Sequence, residues 1–159
     1  MTVAYVGLGA NLGDPRRQLE TAIAELESLP DSRVSAVSSI YRSAPMGYRD
    51  QPDFLNAVVQ VDTGLSPEAL LGELRAIEAR HGRERPFASA PRTLDLDLLL
   101  YGDRVVDSPA LVLPHPRMHE RAFVLEPLIE IAPRAVVPGR GTAAALLAAC
   151  ADQDVEKLP

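Results

Sequence analysis

The chain has 159 residues, 47% of them hydrophobic, which is enough to bury one core, and we expect a single domain over residues 1–159. Its formal net charge of −6 argues against a general nucleic-acid-binding protein, because phosphate contacts favour a basic face. The single cysteine, Cys150, excludes a disulfide framework and a thiol-based zinc site, and it predicts a reducing, cytoplasmic setting.

The amino terminus lacks the basic start and the longer apolar run of a signal peptide. No window of the chain approaches the ~20 apolar residues that a membrane span needs. We therefore expect no membrane partner. The ordinary single-domain length predicts a monomer.

The first part of the chain predicts a strand, a helix and two further strands. Residues 3–8 form a short apolar run before Gly9, which is typical of a buried strand. Asp14 and Pro15 have the chemistry of a helix N-cap and first helical residue. Residues 34–41 and 54–62 predict the next two strands. The pattern Gly7-x-Gly9-x-Asn11-Leu12-Gly13 lacks the spacing of a dinucleotide fingerprint and is interpreted as a tight turn between strand and helix.

The second part predicts another helix and another strand. Ser66 and Pro67 repeat the helix-start chemistry, Gly82 is a plausible stop, and an apolar strand around residue 95 follows. Strand, helix, strand, strand, helix, strand is the ferredoxin-like order, an α+β fold with a four-stranded, largely antiparallel sheet covered by helices. A C-terminal extension should contain a short hairpin, an irregular helix over residues 123–131 and a last helix capped by Thr142.

Two aspartates, Asp95 and Asp97, are the most informative feature of the predicted last strand. Side chains alternate along a strand, so both carboxylates point the same way, with their backbones about 6.6 Å apart. The leucines at positions 94, 96, 98 and 100 would occupy the opposite face and hold the strand in a core. A hard divalent cation suits this pair, because Mg²⁺ is usually held by one or two carboxylates together with phosphates and water.

Arg83, Arg85 and Arg92 lie shortly before the two aspartates in the sequence. Arginines beside a carboxylate pair suit a metal-bound polyphosphate. Two structural explanations remain open at this point. The aspartates could simply keep an exposed strand face soluble, since the pattern is short and common, and the arginines could simply form salt bridges with them.

Phe54 and Asn56 share one face of another predicted strand. An aromatic ring beside an amide that both donates and accepts suits a flat heterocycle with a mixed hydrogen-bonding edge. From this pair alone, a core phenylalanine and an asparagine bonded to nearby backbone are the favoured explanation. His115, between two prolines, could contact a phosphate or a base or be structural, and the pair Arg121 and Phe123 raises the same question.

Five ordered segments resemble the 6-hydroxymethyl-7,8-dihydropterin pyrophosphokinase family of folate biosynthesis, over nearly the whole chain. They are residues 9–14, 39–43, 50–56, 91–97 and 114–123. The resemblance implies transfer of pyrophosphate from ATP to the hydroxymethyl group of the pterin, with release of AMP. It also implies two Mg²⁺ ions bound by Asp95 and Asp97.

The resemblance assigns further residues to ligands and to catalysis. Those implied for the pterin are Ser43, Ala44, Met46, Phe54, Asn56 and Phe123. Those implied for the nucleotide are Glu78, Arg83, Arg85, Arg92, His115 and Arg121, and Arg83 and Arg92 join the two aspartates as catalytic residues. Where many members have Trp-Gly-Pro-Arg, this chain has Ser89-Ala90-Pro91-Arg92, so Phe87 is a candidate to replace the missing aromatic residue.

Two functions from other classes compete with this hypothesis. One is a non-catalytic ferredoxin-like module that binds a small ligand, since the fold hosts binding modules and enzymes alike. The other is a nucleotidyltransferase, which also uses paired aspartates but releases pyrophosphate. The nucleotide product distinguishes all three.

Overall fold

The computed structural model describes residues 1–45, 50–82 and 94–159. The predicted order of elements is confirmed in its first half, except that the strand predicted over residues 34–41 is two strands. Strand β1 (Thr2–Ala10) and helix α1 (Pro15–Glu27) are followed by β2 (Ser32–Val37), β3 (Tyr41–Ser43), β4 (Phe54–Thr63), α2 (Pro67–Arg80) and β5 (Asp95–Tyr101). Both helix starts have the expected caps, since Asp14 accepts a hydrogen bond from Arg17 N and Ser66 accepts one from Ala69 N.

The C-terminal extension also follows the predicted pattern. It contains the hairpin β6 (Val106–Asp107) and β7 (Val112–Leu113), a short 3₁₀ turn, α3 (Ala122–Ile131), the hairpin β8 (Val136–Val137) and β9 (Gly141–Thr142), α4 (Ala143–Ala148) and β10 (Val155–Lys157). Pro127 lies inside α3, and Thr142 caps α4 by accepting from Ala145 N at 3.2 Å. The second hairpin and β10 were not predicted.

The main sheet has the order β10, β3, β4, β1, β5, with β2 also paired to β4. All of these pairings are antiparallel, so the predicted α+β class is confirmed. The sheet has six strands rather than the expected four, because β10 extends one edge and the strand predicted over residues 34–41 is two strands.

The polar residues Ser38 and Ser39 interrupt that predicted strand. Val58 N donates to Ser38 Oγ at 2.9 Å, so a side chain replaces the backbone carbonyl that would continue the ladder. Ser39 N donates a hydrogen bond to the carboxylate of Glu130 on α3, at 3.0 Å from Oε2. Both contacts connect segments far apart in sequence.

Each face of the sheet packs in a separate core. One core contains side chains of α1 and α2, such as Leu26 and Leu74, and the other contains side chains of α3, such as Leu125. On β5, the predicted face of leucines is right for Leu94, Leu96 and Leu98, which lie in the first core, but wrong for Leu100, which lies in the second. A register shift against β1 between Tyr5 and Val6 breaks the alternation there.

Asp95 and Asp97 alternate with the leucines of the first core, so their carboxylates face the side of the sheet that carries α3. Within the described part of the chain, no helix has the length and apolar character needed to cross a membrane.

Candidate active site

A cavity of about 220 Å³ lies on the α3 side of the sheet, over the strands β1, β4 and β5. It brings together side chains that the sequence placed in separate motifs. The expected site residues that line it are Ser43, Ala44, Phe54, Asn56, Asp95, Asp97, Arg121 and Phe123. His115 lies next to this group. Met46, Arg83, Arg85, Phe87 and Arg92 fall outside the described residues.

Two glycines of β1 form the floor of the cavity. Gly9 pairs with Asn56 on one side and with Asp95 on the other, and Gly7 pairs with Val58 and Asp97. The predicted turn is right for residues 11–13, which connect β1 to α1, but wrong for Gly7 and Gly9, which lie within the strand. A Cβ built on Gly9 would be 3.5 Å from Asn56 Oδ1, so the missing side chain leaves open the space between the amide and the carboxylates.

Asn56 is buried beside that floor, with 3% of its surface exposed. Its Nδ2 donates to Ser43 Oγ at 2.7 Å, which fixes the amide plane. Within residues 1–45, 50–82 and 94–159, Oδ1 accepts no hydrogen bond, so this oxygen and the second Nδ2 hydrogen are available to a ligand.

The two carboxylates occupy the wall that β5 contributes. Burial, with the neighbouring Asp95 carboxylate as the second cause, raises the pKa of Asp97 to about 7. The raised pKa means that the protein does not fully compensate the negative charge of the Asp97 carboxylate. The described residues contain no cluster of three acidic, histidine or cysteine side chains that could hold a metal ion.

His115 reaches the same wall from the segment between β7 and α3. Burial, assisted by the Arg121 guanidinium, lowers its pKa to about 4, so the ring is neutral at physiological pH. Arg117 N donates to Nδ1 at 3.2 Å, which leaves the proton on Nε2, and Nε2 lies 3.9 Å from Asp97 Oδ1. His115 is thus a neutral hydrogen-bond donor rather than a cation at this site.

Arg121 supplies positive charge opposite the carboxylates. Its guanidinium carbon lies 5.6 Å from the centre of the Phe123 ring, close enough for a cation–π contact. Burial lowers the pKa of Arg121, while the nearby Asp97 charge raises it. The arginine therefore lies between the aromatic and acidic parts of the cavity.

Glu78 and Arg75, on α2, hold the backbone between the two aspartates. The Glu78 carboxylate, with 1% of its side chain exposed, accepts from Leu96 N at 2.8 Å and from Arg75 Nη1 at 2.9 Å. Arg75 Nη1 also donates to Leu96 O at 3.2 Å. Glu78, expected on the nucleotide side, thus contacts the metal-binding candidates through their backbone.

The cavity also contains residues that sequence reasoning did not assign to it. Besides the two glycines these include Gln51, Arg117 and Glu120. Asn11 Nδ2 donates to Gln51 Oε1 at 2.7 Å and to Pro52 O at 3.2 Å, which ties the segment after residue 50 to the end of β1. The sequence did contain a signal for this contact. Residues 9–14 and 50–56, two of the segments that resemble the family, contain Asn11 and Gln51.

A family model described as 7,8-dihydro-6-hydroxymethylpterin-pyrophosphokinase (HPPK) matches residues 5–133. The chain belongs to this family. The family predicted from five sequence segments is therefore confirmed, and with it the class of enzyme, a pyrophosphokinase.

Curated relatives agree with this assignment. A 2-amino-4-hydroxy-6-hydroxymethyldihydropteridine pyrophosphokinase of Pseudomonas aeruginosa is 48% identical over 155 residues, which cover 98% of this chain and 96% of the relative. A protein of the same name from Haemophilus influenzae is 43% identical over 158 residues, which cover 99% of both chains.

Solved structures share the fold of this HPPK family member. The wild-type HPPK-DHPS of Plasmodium falciparum with pteroate superposes with a TM-score of 0.74 at 14% identity. The match covers 93% of this chain but only 42% of that one, so the chain spans about two fifths of the length of the solved protein. At this identity the similarity is evidence for the fold alone.

Proposed function

We propose that this HPPK family member transfers pyrophosphate from ATP to the hydroxymethyl group of 6-hydroxymethyl-7,8-dihydropterin in folate biosynthesis, releasing AMP. The observation that carries the proposal is the single cavity that joins Phe54, Asn56 and Phe123 to the acidic pair on β5. A flat polar heterocycle bound beside Phe54, Asn56 and Phe123 would place its substituent near Asp95 and Asp97. We further propose a monomer acting in the cytoplasm.

The pterin side of the cavity combines aromatic and amide groups. Phe54 and Phe123 line this side with aromatic rings, and Asn56 offers one acceptor and one donor to a heterocycle edge. Ser43 and Ala44 lie at the edge of the cavity, and Met46 is assigned to the pterin by family resemblance.

The phosphate side supplies charge of both signs. Asp95 and Asp97 suit Mg²⁺, because this ion is usually held by one or two carboxylates, and phosphate oxygens and water complete its shell. Two bound Mg²⁺ ions would stabilise negative charge that develops on the phosphate oxygens. Arg121 and the Nε2–H of His115 face the same region and would bind those oxygens.

The reaction forms a bond between the pterin hydroxymethyl oxygen and the β-phosphorus. The bond from the β-phosphorus to the oxygen that remains with AMP breaks, and the hydroxyl proton is lost. The protein's contribution is to align the two substrates and to stabilise charge. Arg83, Arg85 and Arg92, assigned by resemblance, and Glu78, through Leu96, complete the proposed nucleotide side.

Identification of the nucleotide product tests the proposal against its rivals. The full chain is incubated with ATP, Mg²⁺ and the reduced pterin, and the products are separated by chromatography. AMP together with pyrophosphorylated pterin supports the proposal. Release of pyrophosphate would indicate a nucleotidyltransferase, and the absence of turnover would indicate a non-catalytic binding module.

We expect Asn56→Ala to weaken pterin binding far more than ATP binding. The lost amide leaves polar groups of the ring without partners, at about 1 to 3 kcal/mol, or about 5- to 150-fold in the dissociation constant. Calorimetry with each ligand separately measures both effects in one variant. Equal losses for the two ligands would move Asn56 out of the pterin site.

Gly9→Ala should fill the floor of the cavity without disturbing the fold. The new Cβ would meet Asn56 Oδ1 at 3.5 Å and Phe54 Cδ1 at 3.9 Å, which are ordinary contact distances. We expect unchanged thermal stability and pterin binding at least about tenfold weaker, since the methyl group occupies ligand space. Gly72→Ala is the matched control, because a Cβ at Gly72 meets nothing within 4 Å. Normal pterin affinity in Gly9→Ala would show that the ring does not lie over β1.

A further inference from the structure

Gln153, in the turn after α4, binds the backbone on both sides of Arg121. Its Oε1 accepts from Ala122 N at 2.9 Å, and its Nε2 donates to Glu120 O at 2.7 Å. The Gln153 side chain thus bridges the backbone groups on either side of Arg121. Gln153 lies beyond residues 5–133, which the family model matches.

These two hydrogen bonds fix the start of α3. Arg121 is the N-cap of this helix, with extended backbone angles, but its side chain makes no capping hydrogen bond. The first helical N–H, that of Ala122, would otherwise lack the acceptor that a capping side chain usually provides. Gln153 supplies that acceptor from a distant part of the sequence, and this leaves the Arg121 side chain free to extend into the cavity.

Gln153 is itself held in place. Its backbone N donates to Cys150 O at 2.9 Å, and two residues later Val155 begins β10 by pairing with Ser43. Ser43 lines the cavity and accepts the hydrogen bond from Asn56. The segment from Gln153 to β10 therefore connects the wall that carries Arg121 to the wall that carries Ser43.

We propose that Gln153 is a positioning residue for the pyrophosphoryl transfer, acting by orienting Arg121 toward the phosphates. The inference rests on the proposed function and on the phosphate-binding role of Arg121. Small displacements of a charged group matter at such a site, since about 1 Å of misplacement can cost about 100-fold in rate. Gln153 touches neither substrate in this proposal, because both ends of its amide are engaged by the protein backbone.

The test compares Gln153→Met with Gln153→Ala. Methionine keeps the length and packing of the side chain and removes both hydrogen bonds, so it separates hydrogen bonding from volume. We expect both variants to lower kcat/KM for ATP about 10- to 100-fold, with pterin affinity, measured by calorimetry, unchanged. Gln60→Ala is the matched control, because Gln60 lies outside the cavity and its side chain hydrogen-bonds Tyr5 and Asp62 rather than residues of the cavity.

A double-mutant cycle with Arg121→Ala decides whether Gln153 acts through Arg121. In the Arg121→Ala background, we expect Gln153→Met to change kcat/KM by less than about twofold, because nothing remains to be oriented. The same fractional loss in both backgrounds would mean a general structural effect and would overturn the inference. Wild-type kinetics in Gln153→Met, or in Arg121→Ala, would overturn it too. If the wild type forms AMP in these assays, the proposed function stands whatever the variants do. If the wild type forms no AMP, the proposed function itself is contradicted.

Discussion

Asp97→Ala is expected to lower kcat at least about 1,000-fold, and Asp95→Ala to a similar degree. Each substitution removes a ligand from a bound cation, and metal ions contribute several kcal/mol of transition-state stabilisation, where about 1.4 kcal/mol is tenfold in rate. The fold should be retained. Both carboxylates face the cavity, opposite Leu94, Leu96 and Leu98, which pack in the first core.

Steady-state kinetics at saturating Mg²⁺, combined with circular dichroism, measures activity and fold together. Asp103→Ala is a suitable control, because Asp103 is exposed in the turn after β5, outside the cavity. Near-wild-type turnover in either cavity variant would contradict the assignment of the metal to this pair.

Local chemistry made much of the fold predictable. A polar cap followed by proline specifies a helix start within two residues, and both Asp14-Pro15 and Ser66-Pro67 lie where the sequence predicts. Alternation along a strand likewise needs no distant information. It correctly placed Phe54 with Asn56 and Asp95 with Asp97, and the structure adds that all four face one cavity.

The errors in the predicted fold come from contacts distant in sequence. The break after β2 depends on Val58 and Glu130, which bind Ser38 and Ser39. The change of face at Leu100 depends on a register shift against β1. Neither partner is encoded in the hydrophobic pattern of the segment itself, so a single-sequence reading continues the strand through both places.

The same limit applies to the cavity. Gly7 and Gly9 share a face of β1 by simple alternation, but their function as a floor depends on β1 lying between β4 and β5. The contacts of Glu78 with Leu96 and of Gln153 with Ala122 are side chains bound to distant backbone. Backbone groups are the same in every residue, so sequence spacing contains no signal for such partners.

Asp97→Asn should stabilise the metal-free protein at pH 8 while it abolishes turnover. The folded-state pKa of Asp97, about 7, lies above the ordinary value of 3.8. Between these two values the folded chain holds a proton that the unfolded chain releases, so the free energy of unfolding falls as pH rises through this window. Asparagine is neutral at every pH, so the variant does not lose this free energy of unfolding. In the wild type the loss amounts to a few kcal/mol above pH 7.

Thermal unfolding from pH 4 to pH 8, without divalent cations, measures this difference. We expect similar melting temperatures for the wild type and Asp97→Asn near pH 4, and a value about 5 to 10 °C higher for the variant at pH 8. Asp107→Asn, at an exposed aspartate of β6 outside the cavity, is the control for the same change of residue type elsewhere. Mg²⁺ at pH 8 should raise the melting temperature of the wild type and leave Asp97→Asn nearly unchanged, because the ion then supplies the compensating charge. Equal pH profiles for wild type and variant would mean that Asp97 ionises normally in the folded chain, and its raised pKa would then give no support to the metal assignment.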